Sequence, residues 1–388
     1  MTSRSRVFVL AISTPIIALA FIGGYLGQAV GRDDTYQHLR VFEDVISIVL
    51  NNYVEPVDVS KAMKGAMRGM AEGLDPESAY LPPDLARSRE SNDLGGPAEV
   101  GLDLTRQYYL RVVSARDGSP AARAGIRAGD FLRVIDGRPT RNMSAYEGAR
   151  LLHGPAGTTV SLLVIRGNAA DPHAVDLVRE RVAGPDITSR MADSATGYVR
   201  VLQFSNESPS QLKQAIDALA KNGASRYVID LRGVSRGDLD DGVAAARVFV
   251  KGGTLAVRLG RLDRREPITG EPTDGAVTAP LALLVDIGTS GAAEVFAAAL
   301  DGNGRADLIG TTTLGRAARQ RLVKLPDQSG LWITYLRYLT PSGEPIHEKG
   351  LAPDVEVEQL EIEFGDEAPA PDETLRKALD HLAPRKAA

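Results

Sequence analysis

Residues Val7 to Val30 form a mostly apolar run of 24 positions without a charge, flanked by Arg4 and Arg6 before it and Arg32, Asp33 and Asp34 after it. A helix needs about 20 such residues to cross a bilayer, and basic residues ahead of the run orient its amino end to the cytoplasm. Residues 1–31 are therefore expected to be a signal anchor or, given the small-x-small site Ala18-Leu19-Ala20, a cleaved signal peptide. Both readings put the rest of the chain outside the cytoplasm. The next stretch is amphipathic: Leu39, Val41, Phe42, Val45, Ile46, Val49 and Leu50 form a helical stripe, and a second helix is expected from Val59 to Glu72, stopped by Gly73 and Pro76. From Leu81 to Pro97 proline, glycine and charge cluster, which reads as a linker.

The period then changes. Tyr109–Val113, Phe131–Ile135 and Thr159–Ile165 read as short strands between glycine turns, with Ala145–Leu152 the one useful helix among them. From Gly184 strands and helices alternate. Tyr198–Phe204, Tyr227–Leu231 and Leu281–Asp286 read as strands, and Pro209–Lys221, Leu239–Phe249 and Ala292–Leu300 as helices. Such alternation implies a layered α/β core. A short amphipathic helix, Asp372–Leu382, follows an acidic, proline-bearing link.

A chain of 388 residues is long enough for two or three domains. Its net charge of −5 argues against a nucleic-acid binder, which would carry a clustered basic excess. The absence of cysteine excludes disulfides, thiolate metal sites and a cysteine nucleophile. No histidine–carboxylate cluster suggests a metal, no glycine-rich loop suggests a phosphate, and no cofactor is expected.

Several segments, in order, resemble the family of C-terminal processing serine proteases. Leu74-Asp75-Pro76-Glu77-Ser78-Ala79-Tyr80-Leu81 is similar to the stretch that precedes that family's PDZ domain, and Ser119-Pro120-Ala121-Ala122-Arg123-Ala124-Gly125-Ile126-Arg127-Ala128-Gly129-Asp130 to its PDZ turn. Ile135-Asp136-Gly137, Gly154–Thr158 and Arg166 continue the match, as do Val228–Arg232, Tyr338–Gly343 and Gly350–Asp354. The resemblance runs from about Tyr36 to Leu382 and implies a helical segment and linker (32–94), a PDZ domain (95–182), a protease-like core (183–360) and a C-terminal helix and tail (361–388).

The PDZ resemblance places a carboxylate-binding loop at Val100-Gly101-Leu102-Asp103-Leu104, whose backbone N–H groups would receive a polypeptide C-terminus, with the Ala145–Leu152 helix as the groove wall. Gly101 is expected to leave room for that carboxylate, and Glu99 and Asp103 to repel it in part.

The catalytic resemblance fails at its two key positions. The family's nucleophilic serine lies three residues before a glutamate, and here Thr289-Ser290-Gly291-Ala292-Ala293-Glu294 puts glycine there. The family's lysine in Phe-Gly-Lys-Gly is matched by Leu314-Gly315-Arg316-Ala317, so arginine stands in its place. The separation, 316 − 291 = 25, is the family's own. Glycine cannot attack a carbonyl, and arginine stays protonated and cannot act as a base. The oxyanion region, assigned by resemblance to the turn after Asp-Leu-Arg and to Ala292, is altered to Gly233-Val234-Ser235-Arg236-Gly237, in which Gly237 survives. Gln320 matches a glutamine that supports the dyad.

The resemblance with these losses implies a pseudoprotease in the bacterial inner membrane, with a periplasmic part that binds polypeptide C-termini, unfolded protein or a partner protein. The alternative is an active serine endopeptidase using Ser290 as a displaced nucleophile. Ser290 is one residue, about 100° of helix, from the lost serine. His153 and His347 read as structural histidines; His347 falls where the family commonly has glutamine.

Overall fold

The computed structural model describes residues 36–167, 172–181, 184–358, 362–366 and 371–383. The expected anchor, Val7–Val30, lies outside them. Among the described residues no helix is long and apolar enough to cross a membrane. The chain divides into two units, Met1–Gly69 and Met70–Ala388. In the first, residues 36–52 are helical as their stripe predicts, and Leu39, Phe42, Val45 and Val49 face solvent. A helix spans Val59–Glu72 across the division.

The second unit holds three sheets. One is the PDZ sheet, in the order Leu102–Gln107, Tyr109–Ala115, Phe131–Ile135, Thr159–Ile165 and His173–Val178, with Leu102–Gln107 as its outer strand. Its core gathers alternate residues of these strands, Leu102, Leu104, Leu110, Val112, Leu132, Val160, Leu162 and Val164. The Ala145–Leu152 helix lies on this sheet. Its Gly148 allows the approach, because a Cβ there would overlap the Leu110 side chain.

The second sheet is the core sheet, ordered Val355–Glu356, Asp307–Gly310, Leu281–Val285, Arg226–Asp230, Thr196–Val201 and Ile187–Met191, parallel except for the last pair. Its central strands Arg226–Asp230 and Leu281–Val285 are buried on both faces, which is why they read as near-continuous apolar runs. Ile229, Leu231, Leu283 and Val285 pack under the helices Ser208–Lys221, Leu239–Ala246 and Ala292–Asp301. Val228, Ala282, Leu284 and Ile309 pack on the other face against the C-terminal helix Glu373–Leu382. Beyond the three helices lies the third sheet, Ala79–Leu81, Gly330–Leu339, Thr254–Leu259 and Arg265–Thr269, with Ala318–Lys324 beside Gly330–Leu339.

The stretch expected to be a linker is ordered and packed. Ala79–Leu81 is a strand of the third sheet and Pro83–Glu90 is a helix with Leu85 and Ala86 buried. The two prolines read as a break, yet Pro83 sits at the first helical turn, where its missing N–H costs nothing.

Candidate active site

The parallel strand Leu281–Val285 ends in a turn that delivers Gly291 to the N-terminus of the buried Ala292–Asp301 helix. In open parallel sheets such carboxyl-end crevices are where ligands bind. Gly291 has φ 63° and ψ −121°, a conformation that costs a residue with a side chain about 1–3 kcal/mol. The space itself is open: a Cβ at Gly291 would meet only Ser235 O at 3.6 Å and Leu239 Cδ2 at 3.9 Å. The position, expected to hold the nucleophile, has a strained backbone and room for a side chain, and carries none. Ala292, the other expected oxyanion residue, opens the helix and is fully buried.

Glu294 holds this site together. Its carboxylate accepts from Gly291 N (3.1 Å), Arg316 N (2.7 Å), Gly315 N (2.6 Å) and the Thr313 hydroxyl (2.5 Å). One buried side chain thus fixes the backbone at both dyad positions. Burial pushes its pKa up against those four hydrogen bonds.

Arg316, expected at the base position, is ion-paired. Its Nε lies 2.9 Å from Glu77 Oε2, and Glu77 Oε1 accepts from the Thr105 hydroxyl at 2.6 Å. Burial works to lower the arginine's pKa, but Glu77 and then Asp103 hold it above its usual value. It remains a cation. Gln320 donates to Thr334 Oγ1 (3.2 Å) and Ala318 O (3.3 Å).

The altered turn makes contacts that the sequence did not disclose. Arg236 clasps Glu99 through two parallel bonds, Nη1–Oε1 2.7 Å and Nη2–Oε2 2.6 Å, and its Nε lies 3.4 Å from Asp103 Oδ2. The Ser235 hydroxyl donates to Asp103 and lies 2.5 Å from Ser114 Oγ. Burial alone would raise the Asp103 pKa; Arg236, then the Ser235 hydroxyl, hold it below its usual value. Two expectations change. Glu99 and Asp103 are not free charges at a peptide loop, because both are paired with Arg236. The side chains of residues 235 and 236 bind the PDZ domain to the core. Gly237 closes the turn at φ 127°, and a Cβ there would lie 2.6 Å from Phe204 O.

The loop Val100–Leu104 forms the start of the outer PDZ strand, as a receiving edge requires, with Val100 O and Gly101 O accepting from Ala121 N and Arg116 N. The reason for Gly101 differs from the expected one. Its φ is 81°, and a Cβ would overlap Ser119 Cβ, so packing inside the domain demands glycine.

Ser290 is fully buried, its backbone N–H donates to Val234 O at 2.9 Å, and its hydroxyl has no hydrogen-bond partner among the described residues. It has neither access nor a base. His153 Nδ1 lies 2.8 Å from Ala149 O and its Nε2 3.6 Å from Glu99 Oε2. His347 is buried with both ring nitrogens unpartnered; burial first, then Arg337, lowers its pKa. Among the described residues no group of histidines and acids is placed to hold a metal.

Sequence reasoning named Glu99, Arg236 and Glu294 but did not pair Glu99 with Arg236, Glu77 with Arg316, or Glu294 with the Gly315 and Arg316 backbone. Glu294 carried a signal, since its spacing set the register, but its partners come from a segment 19 to 22 residues away in the chain.

A parallel-sheet core bearing a PDZ module and a strained residue at a buried helix N-terminus has the build of a serine-type peptidase scaffold. The family model "Peptidase family S41" matches residues 195–357, and a PDZ domain model matches 111–166. The chain is 32% identical over 337 residues to a carboxy-terminal-processing protease of Bartonella bacilliformis, covering 84% of this chain and 77% of that one. It is 30% identical to the carboxy-terminal processing protease CtpA of Bacillus subtilis, covering 92% and 78%. Among solved structures it superposes on a photosystem II D1 C-terminal processing protease with a TM-score of 0.70 and 30% identity, over 81% of this chain and 86% of that one. The chain belongs to the carboxy-terminal processing protease family.

Proposed function

We propose that this chain is a non-catalytic member of its family, which binds polypeptide C-termini or partner proteins outside the cytoplasm. The observation that carries the reading is the pair Gly291 and Arg316: a glycine in the strained nucleophile conformation, and a charged arginine ion-paired to Glu77 where a neutral base is needed. Glu294 still fixes both backbones. The scaffold is intact and the reacting groups are absent.

The PDZ edge supports peptide binding, because among the described residues Leu102–Gln107 has no strand on its outer side. An extended C-terminus adds there by main-chain hydrogen bonds, with its carboxylate at the Gly101 turn. A peptide acid should bind about tenfold or more better than its amidated twin, since a charge-assisted hydrogen bond contributes about 1.5–3 kcal/mol. Equal binding would refute C-terminal recognition.

The membrane location rests on the Val7–Val30 run and its charge asymmetry. A reporter that works only outside the cytoplasm, fused after Ala388, should be active. Activity of a cytoplasm-only reporter at that point would overturn it.

A further inference from the structure

The outer PDZ strand ends in an unusual connection. Gln107 pairs with Tyr109, so Tyr108 alone joins two antiparallel strands, with φ 65°. Such a position favours glycine or asparagine, and a tyrosine there is strained. The ring is not hidden in return: Tyr108 is 57% exposed. It is held in place nonetheless. Tyr109 packs edge-on against it at 4.9 Å and 87°, and the Arg141 guanidinium lies 4.5 Å from its ring centroid. Arg141 is positioned by its neighbour Thr140, fully buried, whose hydroxyl donates to Leu132 O and accepts from Leu110 N at 3.5 Å. Among the described residues no carboxylate pairs with Arg141, and its side chain is exposed.

The position of this shelf along the strand follows from register. A C-terminus whose carboxylate reaches the Gly101 turn must run antiparallel to Leu102–Gln107. With its last residue beside Asp103, the fifth from the end lies beside Gln107 and the sixth beside Tyr108, one residue per about 3.3 Å. The neighbouring cations are already engaged: Arg106 pairs with Glu72 at 3.3 Å and Arg111 donates to Gln107 Oε1 at 3.1 Å. Arg141, stacked on Tyr108 and without a carboxylate partner among the described residues, is a cation open to a ligand at this end of the strand. Strain retained for an exposed, oriented aromatic beside an unmatched cation is the composition of a recognition point.

We propose that Tyr108 and Arg141 form an upstream specificity subsite that selects an acidic residue five or six positions from the C-terminus of the bound polypeptide. The proposal rests on the reading that this edge receives a C-terminus, and its test separates the two. The probe is a fluorescein-labelled decapeptide with a free carboxylate and glutamate sixth from the end. Its twins carry glutamine at that position or a C-terminal amide, and anisotropy is measured with the full chain in detergent micelles. The glutamate peptide should bind about threefold to fivefold tighter than the glutamine twin at low salt, the range of a partly exposed ion pair. Tyr108→Gly suits the φ of that turn, so it should keep the fold while removing the ring. It should bring the ratio close to one, as should Arg141→Gln, and the Arg141→Gln loss should vanish for the glutamine peptide. A glutamate-to-glutamine ratio near one in the wild type, or one that both variants leave unchanged, overturns the subsite alone. Equal binding of acid and amide twins, or no binding of any peptide, overturns the C-terminal reading and the subsite with it.

Discussion

The carboxylate of Glu77 lies 2.9 Å from the guanidinium of Arg316, so the residue in the base position is one half of an ion pair. Glu77 comes from the stretch before the PDZ domain and also accepts from Thr105 of the PDZ outer strand. Glu77 therefore ties the arginine to the stretch before the PDZ domain and to the PDZ outer strand.

Restoring chemistry should need both positions. Gly291→Ser alone should stay inert for want of a neutral base, and Arg316→Lys alone for want of a nucleophile. The serine should also cost about 1–3 kcal/mol of stability, because φ 63° disfavours a side chain although the space is open. The double variant should cleave weakly. Replacing Gly233–Arg236 with Asn-Asn-Pro-Gly in that background should raise the rate, up to about 10²–10³ if an oxyanion donor is recovered. Turnover of an unfolded protein substrate, read by gel, checks each step.

Arg236→Gln should loosen the PDZ domain from the core. It removes both bonds to Glu99 and the ion pair to Asp103, and bonds of this charged kind contribute about 1.5–3 kcal/mol. Amides of residues 99–104 should exchange hydrogen faster in the variant. Asp103 is held below its usual pKa, so its contribution is present above about pH 4 and is lost as pH falls through the folded value. The wild type should thus weaken in acid more steeply than the variant. Unchanged exchange at 99–104 would argue against the contact.

Much of this was legible and some was not. The parallel strands were found because burial on both faces leaves short apolar runs, as in Leu281–Val285. The Pro83–Glu90 helix was missed because prolines and charges mask a short buried face, and the strands Ala318–Lys324 and Gly330–Leu339 because their half-exposed pattern lacks clean alternation. Gly291 and Arg316 were legible through the resemblance to the family's serine and lysine motifs, with their spacing of 25 setting the register. Their partners were not, since Glu77–Arg316 and Glu99–Arg236 join residues far apart in sequence and no local pattern announces a tertiary ion pair.

Glu294→Ala should cost at least about 3 kcal/mol, because it strands the buried amides of Gly291, Gly315 and Arg316. Each unsatisfied buried donor costs about 1–3 kcal/mol. Glu294→Gln should recover only part of the loss: its carbonyl oxygen can keep Gly291 and Arg316 and the Thr313 hydroxyl can turn to accept, but its NH2 group meets the Gly315 N–H donor to donor. Urea midpoints measured with an unchanged slope would check the order wild type, Gln, Ala.

His347 should give the fold a pH slope. Its folded pKa lies below the ordinary value near 6.5, so the unfolded chain takes up the proton first. Stability is then complete above about pH 6.5 and falls as pH drops below it, by at most about 1.4 kcal/mol per pH unit. His347→Gln should flatten unfolding curves compared between pH 7 and pH 5. An identical slope in the variant would assign the pH response to other groups.

The most direct test of the account is to expose the purified full chain to a fluorophosphonate probe and, in parallel, to an unfolded protein substrate at neutral pH. The account predicts no covalent label and no cleavage, because Gly291 offers no hydroxyl, Arg316 no free base and Ser290 no access. Cleavage by the unmodified protein that Ser290→Ala abolishes would contradict it and establish a working peptidase with a displaced nucleophile.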